Sequence, residues 1–142
     1  MSSPVPSPAD GAFRLEVGRF RATERRRLFP LVLHVGTPDG PRRGTDVPWP
    51  VPREYDAGLR FDLADALLDG LPGERDADVP LWGWLTRPGV PVVHDSDLGW
   101  FAATAKAVAA RERDLAGFRV VTRTGWLDLV SEERRTWKRL RL

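Results

Sequence analysis

The sequence predicts an α/β (α+β) fold, a single mixed β-sheet of about five strands with two to three helices packed on it. Three observations carry that prediction. The chain has 142 residues, a common size for one domain, and is 42% hydrophobic and 30% charged, the makeup of a globular protein able to bury a continuous core. Its hydrophobic pattern switches along the chain between a period of two and a period near 3.6 residues. Its 13 prolines and 13 glycines cut that pattern into short segments.

Residues 1–11, rich in proline and serine with almost nothing to bury, read as a disordered leader, and 12–142 as a single α/β domain. Phe13, Leu15 and Val17 alternate with Arg14, Glu16 and Gly18, the signature of a half-buried strand. Residues 28–35, LFPLVLHV, form a nearly continuous apolar run that suits a central strand with Pro30 near its start. Residues 36–52 carry five prolines and hold only short extended pieces. From about Tyr55 the period becomes helical, with Phe61, Ala64, Leu68 and Leu71 on one stripe, Asp62, Asp65 and Asp69 opposite, and Pro72-Gly73 as the stop. Residues 79–85 read as a buried strand. A second helix takes Asp95 or Ser96 as N-cap and runs to about Arg113, with Leu98, Phe101, Ala102, Ala105, Val108 and Ala109 inward. Residues 118–124 and 126–130 make a hairpin about Thr124-Gly125. Ser131, Glu132 and Glu133 open a final helix with acids in its first turn and bases in its last, so the domain is expected to end in a basic amphipathic helix.

Composition narrows the function classes. Zero cysteines exclude disulfides, thiolate nucleophiles and Cys-ligated zinc. With only His34 and His94, a metal site would lean on carboxylates, and no metal or other cofactor is expected. No apolar run approaches the roughly 18 residues of a membrane helix. MSSPVPSPAD lacks the basic and apolar regions of a secretory signal, so the expected setting is cytoplasmic, without membrane contact. The net charge of +2 is uneven: six arginines face two glutamates in residues 14–27, eight acids fall in 54–78, and the tail from Arg134 adds five bases. No nucleotide-binding glycine loop, Walker loop, zinc-protease helix motif or nucleophile elbow is present.

Candidate functional residues concentrate in residues 82–97, WGWLTRPGVPVVHDSD. His94, Asp95 and Asp97 stand at a helix start, where an imidazole beside carboxylates suits acid/base catalysis or a hard cation. The same positions suit capping. Trp82 and Trp84 share one face of a strand, either as core or as an aromatic recognition platform. Trp49, between Pro48 and Pro50, is a lid over the core or an interface anchor. His34 reads as a hydrogen-bonded core or edge histidine, and Glu16 as a surface acid. Arg134, Arg135, Lys138, Arg139 and Arg141 interleave with Trp137 and Leu140, either gripping phosphates while Trp137 stacks, or docking the apolar pair and leaving the bases wet. Arg119 and Arg123, on the outward face of a strand, would extend that patch.

The run GTDVPWPVPREYDAGLRFDLADALLDG, the strand PLWGWL and the segment TRPGVPVVHDSDLGWFAATAKAV together resemble, over roughly residues 28–130, the RadC-like branch of the JAB/MPN metalloprotease-like fold. In that family a strand ends in His-x-His-Pro, a Gly-Asp-Pro turn follows, and a Ser and an Asp precede a helix. Here Trp82 and Trp84 stand in place of the two zinc-binding histidines, His94 stands near the serine, and Asp97 matches a ligand, with spacing two residues longer. Indole does not bind zinc as imidazole does, so the resemblance implies a fold relative that has lost the metal chemistry.

The residues favour a non-catalytic protein-interaction or scaffold module that binds a protein partner through Trp49, Trp82, Trp84, Arg119, Arg123, Arg134, Arg135, Trp137, Lys138 and Arg139. Two alternatives stay open. One is a small enzyme or metal-dependent hydrolase centred on His94, Asp95 and Asp97. The other is a nucleic-acid-binding accessory protein that uses the basic C-terminal helix.

Overall fold

Phe13, Glu16, Val17 and Phe20 recur at spacings of three and four and pack inward together. In the computed structural model, which describes residues 7–72 and 78–138, they form one face of helix α1 (Asp10–Thr23), where a strand was expected. Leu15 is 43% exposed and Glu16 only 3%, the reverse of what the apolar alternation would bury in a strand. Order reaches back to Ser7, whose N–H donates to Asp10 Oδ2 at 3.1 Å and whose Oγ accepts from the Ala9 N–H at 3.2 Å. Residues 7–11 of the expected disordered leader are therefore structured, and residues 1–6 lie outside the described residues.

Strand β1 (Leu31–Gly36) starts directly after Pro30, and the proline-rich connection that follows holds β2 (Arg42–Val47), paired antiparallel to it. Helix α2 (Ala57–Asp69) begins where the Asp56 carboxylate accepts the Leu59 N–H at 2.9 Å, satisfying one orphan donor of its first turn. Strand β3 (Leu81–Thr86), helix α3 (Asp95–Ala109), strand β4 (Leu115–Val121) and strand β5 (Gly125–Asp128) follow. The chain then departs from expectation. Asp128 Oδ1 accepts the N–H groups of Val130 and Ser131, at 2.8 and 3.0 Å, and Glu132 adopts φ 64°. This side-chain-capped turn reverses the backbone, so the acids expected to open a helix sit in a turn, and β6 (Arg134–Thr136) pairs antiparallel with β5.

One mixed sheet of six strands results, in the order β2-β1-β3-β4-β5-β6. Every neighbouring pair is antiparallel except β3 with β4. Those two run parallel because α3 carries the chain back across the sheet between them. Strand alternation sends Leu31, Leu33, Val35, Leu85, Phe118, Val120 and Leu127 to the face covered by α2 and α3, where they meet Ala64, Leu68, Trp100 and Val108. The opposite face presents Trp84, Val121 and Trp126 to Phe13 and Val17 of α1. No helix among the described residues is long and apolar enough to cross a membrane.

Gly83 lies in central strand β3, opposite Phe118. A Cβ there would come within 2.7 Å of the Phe118 ring and 3.1 Å of Thr104 on α3. Gly83→Ala is expected to destabilise the fold by about 1–3 kcal/mol through overpacking. An unchanged urea midpoint for this variant would contradict the packing of α3 over β3.

Candidate functional site

The loop between β3 and α3 is organised by Arg87, a residue the sequence reasoning passed over. Its side chain is 0% exposed, as is that of its partner Asp97 to within 1%. Arg87 Nε donates to Asp97 Oδ1 and Nη2 to Oδ2, both at 2.9 Å. Nη2 also donates to the Val92 carbonyl at 2.8 Å, and Nη1 to the carbonyls of Pro88 and Val90 at 2.9 and 3.4 Å. Each donor of the guanidinium fork thus has an acceptor. Asp97 Oδ2 additionally accepts the backbone N–H of His94 at 2.8 Å, reaching back over the helix start as in a capping box. The N-cap is His94, one residue before Asp95 and two before Ser96, the expected caps. A signal for this hub was visible, an arginine directly after a buried strand and an acid at the next helix start, but either residue alone reads as surface charge.

His94 is half-buried with its ring 6.5 Å from that of Trp49, and Asp95 is exposed in the first turn of α3. The three candidates for chemistry are therefore split: His94 caps, Asp95 faces solvent and Asp97 is locked to Arg87. Asp97 does not fit as a metal ligand, because both its oxygens are occupied by a cation and by backbone, and no group of three or more His, Cys, Asp or Glu among the described residues is placed to hold a metal ion. Trp49 lies half-buried against the core. With Pro50, Tyr55, Arg60 and Ser96 it borders a cavity of about 430 Å3.

Two of the Trp/Arg set, Trp84 and Arg119, are internal. Trp84 is buried and Trp82 half-buried beneath α1, with Phe13 edge-on to Trp84 at 5.7 Å and to Trp82 at 5.2 Å. Arg119 does not share an outward face with Arg123. It is buried, its guanidinium carbon 3.9 Å from the Trp126 ring centroid and 5.1 Å from that of Trp82. Asp128 and Asp10 accept from it at 2.9 and 2.8 Å. Arg123 sits half-buried past the end of β4, Arg134 and Arg135 are exposed on edge strand β6, Trp137 is half-buried against the α1-side core, and Lys138 is exposed. Arg139 lies outside the described residues.

The same face buries Glu16, expected at the surface, in an ion pair with Arg42 from β2. Arg42 lies 5.3 Å from the Trp84 ring centroid, and Trp84 stacks on His34 at 5.1 Å. His34 Nε2 shares a 3.0 Å hydrogen bond with Thr86 Oγ1, so it is hydrogen-bonded within the sheet as its strand position suggested. Burial, aided by the positive charge of Arg42, pushes its pKa from the ordinary 6.5 down to about 3. The unfolded chain therefore takes up a proton on His34 that the folded chain refuses.

Two outcomes are expected. Arg87→Met leaves a buried carboxylate unpaired and should lower stability by about 3–5 kcal/mol, whereas a loss under about 1 kcal/mol would show that the loop holds without it. For His34, stability is fully present above the unfolded value of 6.5 and declines as pH falls toward about 3. His34→Gln should accordingly show a shallower decline than the parent chain between about pH 6.5 and pH 5 in urea titrations, and parallel slopes would refute the buried neutral histidine. No protein-family model, curated protein or solved structure matches the chain.

Proposed function

We propose that this chain is a non-catalytic interaction module that docks a cytoplasmic protein partner on the aliphatic rim of its β3–α3 loop. The observation that carries the reading is the placement of exposed apolar side chains. Of the seven large hydrophobics exposed among the described residues, four fall between positions 90 and 98: Val90, Val92, Val93 and Leu98, at 39–54% exposure. Val92 and Val93 lead directly into His94, Leu98 stands one helical turn beyond it, and Trp49 packs beside the same histidine. Apolar groups gathered this way on a surface mark contact sites, whereas single ones scattered over it do not.

Arg87 supports the same reading from beneath. It ties the loop carbonyls to α3, so the rim is held in shape before any partner arrives, and little conformational entropy is lost on docking. The buried guanidinium also lies where metal chemistry would need a free carboxylate, which favours a scaffold over a hydrolase. The Trp/Arg set proposed from sequence contributes Trp49 to this surface, while Trp84 and Arg119 serve the core. A JAB/MPN-like ancestry with its reaction lost is compatible with that arrangement and remains part of the proposal.

A photo-crosslinking side chain placed at Leu98 in producing cells tests it. The expected product is a heavier adduct with one distinct protein, abolished by Val92→Lys in a chain whose near-UV circular dichroism is unchanged. Adducts with a second copy of the chain alone, or adducts indifferent to Val92→Lys, would defeat the reading.

A further inference from the structure

The end of α1, the segment after it, the β3–α3 loop and the β4–β5 turn meet around a cavity of about 280 Å3 lined by Arg21, Arg27, Phe29, Gly89, Arg123 and Thr124. Three arginines from separate parts of the chain converge there. Arg21 Nη1 and Arg123 Nε are buried without a hydrogen-bond partner, an arrangement native structures avoid unless something else supplies the acceptor. Arg21 is held in place from its other nitrogen, Nη2, which donates to the Lys138 carbonyl at 2.8 Å. The nearby carboxylate, Glu24, is engaged elsewhere: both its oxygens accept from Arg26 at 2.8 Å. That hydrogen bonding, with a smaller contribution from the charge of Arg123, holds the Glu24 pKa below the usual carboxylate value. Buried Phe29, packed edge-on against Phe20 at 5.2 Å, gives the cavity an apolar wall, which strengthens the field of the cations facing it.

We propose that this cavity is a binding site for a phosphate-type dianion, either inorganic phosphate or the terminal phosphate of a small phosphomonoester. Guanidinium groups match oxyanion geometry by donating paired N–H bonds. Arginines approaching from different segments surround a tetrahedral group rather than a planar one. Their convergence on one cavity also distinguishes the site from a nucleic-acid track, in which bases are laid out along a groove. The three arginines of the site lie outside the β3–α3 loop, which contributes Gly89 alone to the lining.

The test is calorimetric titration of the full chain with inorganic phosphate and with phenyl phosphate, using sodium chloride at matched ionic strength as reference. Saturable binding is expected in the millimolar range or tighter, weakened about tenfold or more in Arg123→Gln and in Arg27→Gln. Arg27 is exposed, so its replacement leaves the core intact, and near-UV circular dichroism confirms folding of both variants. Tighter binding of phenyl phosphate assigns the ester of a small molecule, and tighter binding of inorganic phosphate the free anion; both uphold the site. Heat no different from chloride, or affinity unchanged in the two variants, overturns it. So does a single-stranded oligonucleotide that binds and is not displaced by phosphate.

Discussion

The Arg87–Asp97 pair is the interaction on which the β3–α3 loop and the start of α3 depend. Removing two charges from water costs several kcal/mol per ion, and their mutual attraction offsets this only when every remaining donor and lone pair is used. Here the condition is met. The guanidinium spends its donors on two carboxylate oxygens and three loop carbonyls, and Asp97 also takes the His94 N–H. The loop consequently has little freedom to reorganise, since moving residues 88–92 would strand a buried cation. Val90 and Val92, whose carbonyls Arg87 holds, and neighbouring Val93 are exposed at the surface.

A second cation fixes the opposite face of the sheet. Arg119 lies among Phe13, Trp82 and Trp126 and pairs with Asp10 and Asp128. A guanidinium stacks on aromatic faces while still donating in its own plane, so one side chain bridges α1, β3, β4 and β5. Trp82 and Arg119, which composition places at an interface, thereby become the means of seating the first helix. Large aromatics and arginines dominate binding energy wherever they are desolvated, and the interior of a fold desolvates them as effectively as a partner does. Residue type alone does not distinguish the two.

This explains which parts of the fold were legible in the sequence. The strand at 79–85, the two helices beginning near residues 56 and 95, and the hairpin about Thr124-Gly125 declare themselves through local periodicity, caps and turn residues, and all four occur. Helix α1 and the C-terminal turn do not. Glu16 is buried because Arg42 reaches it from 26 positions away, and Asp10 is fixed by Arg119 across 109 positions. Such long-range pairing overrides local pattern. At the C-terminus, Ser131, Glu132 and Glu133 carry an N-terminal helix signature, but Asp128 captures the first free N–H groups and bends the chain before a helix can nucleate. Of the candidate residues, His94, Asp95 and Asp97 mark the start of α3, while Arg87 determines what Asp97 does.

The β3–α3 loop also joins the two proposed sites physically. Gly89 lines the arginine cavity, and Val90 begins the aliphatic rim one residue later. Gly89 adopts φ 95° and a Cβ there would approach Arg87 Nη1 to 3.3 Å, so the residue that opens the cavity wall is also the one that lets the loop close over the buried guanidinium. Only glycine enters that backbone region without strain. An anion bound beside Gly89 and a partner seated on Val92 and Val93 would both touch this one loop. Two ligands that select one conformation bind with positive coupling whether or not they touch. Arg87 limits how large that coupling can be, because a loop already held closed leaves little population for either ligand to shift. The site is therefore better suited to independent recognition of two groups than to switching between two states.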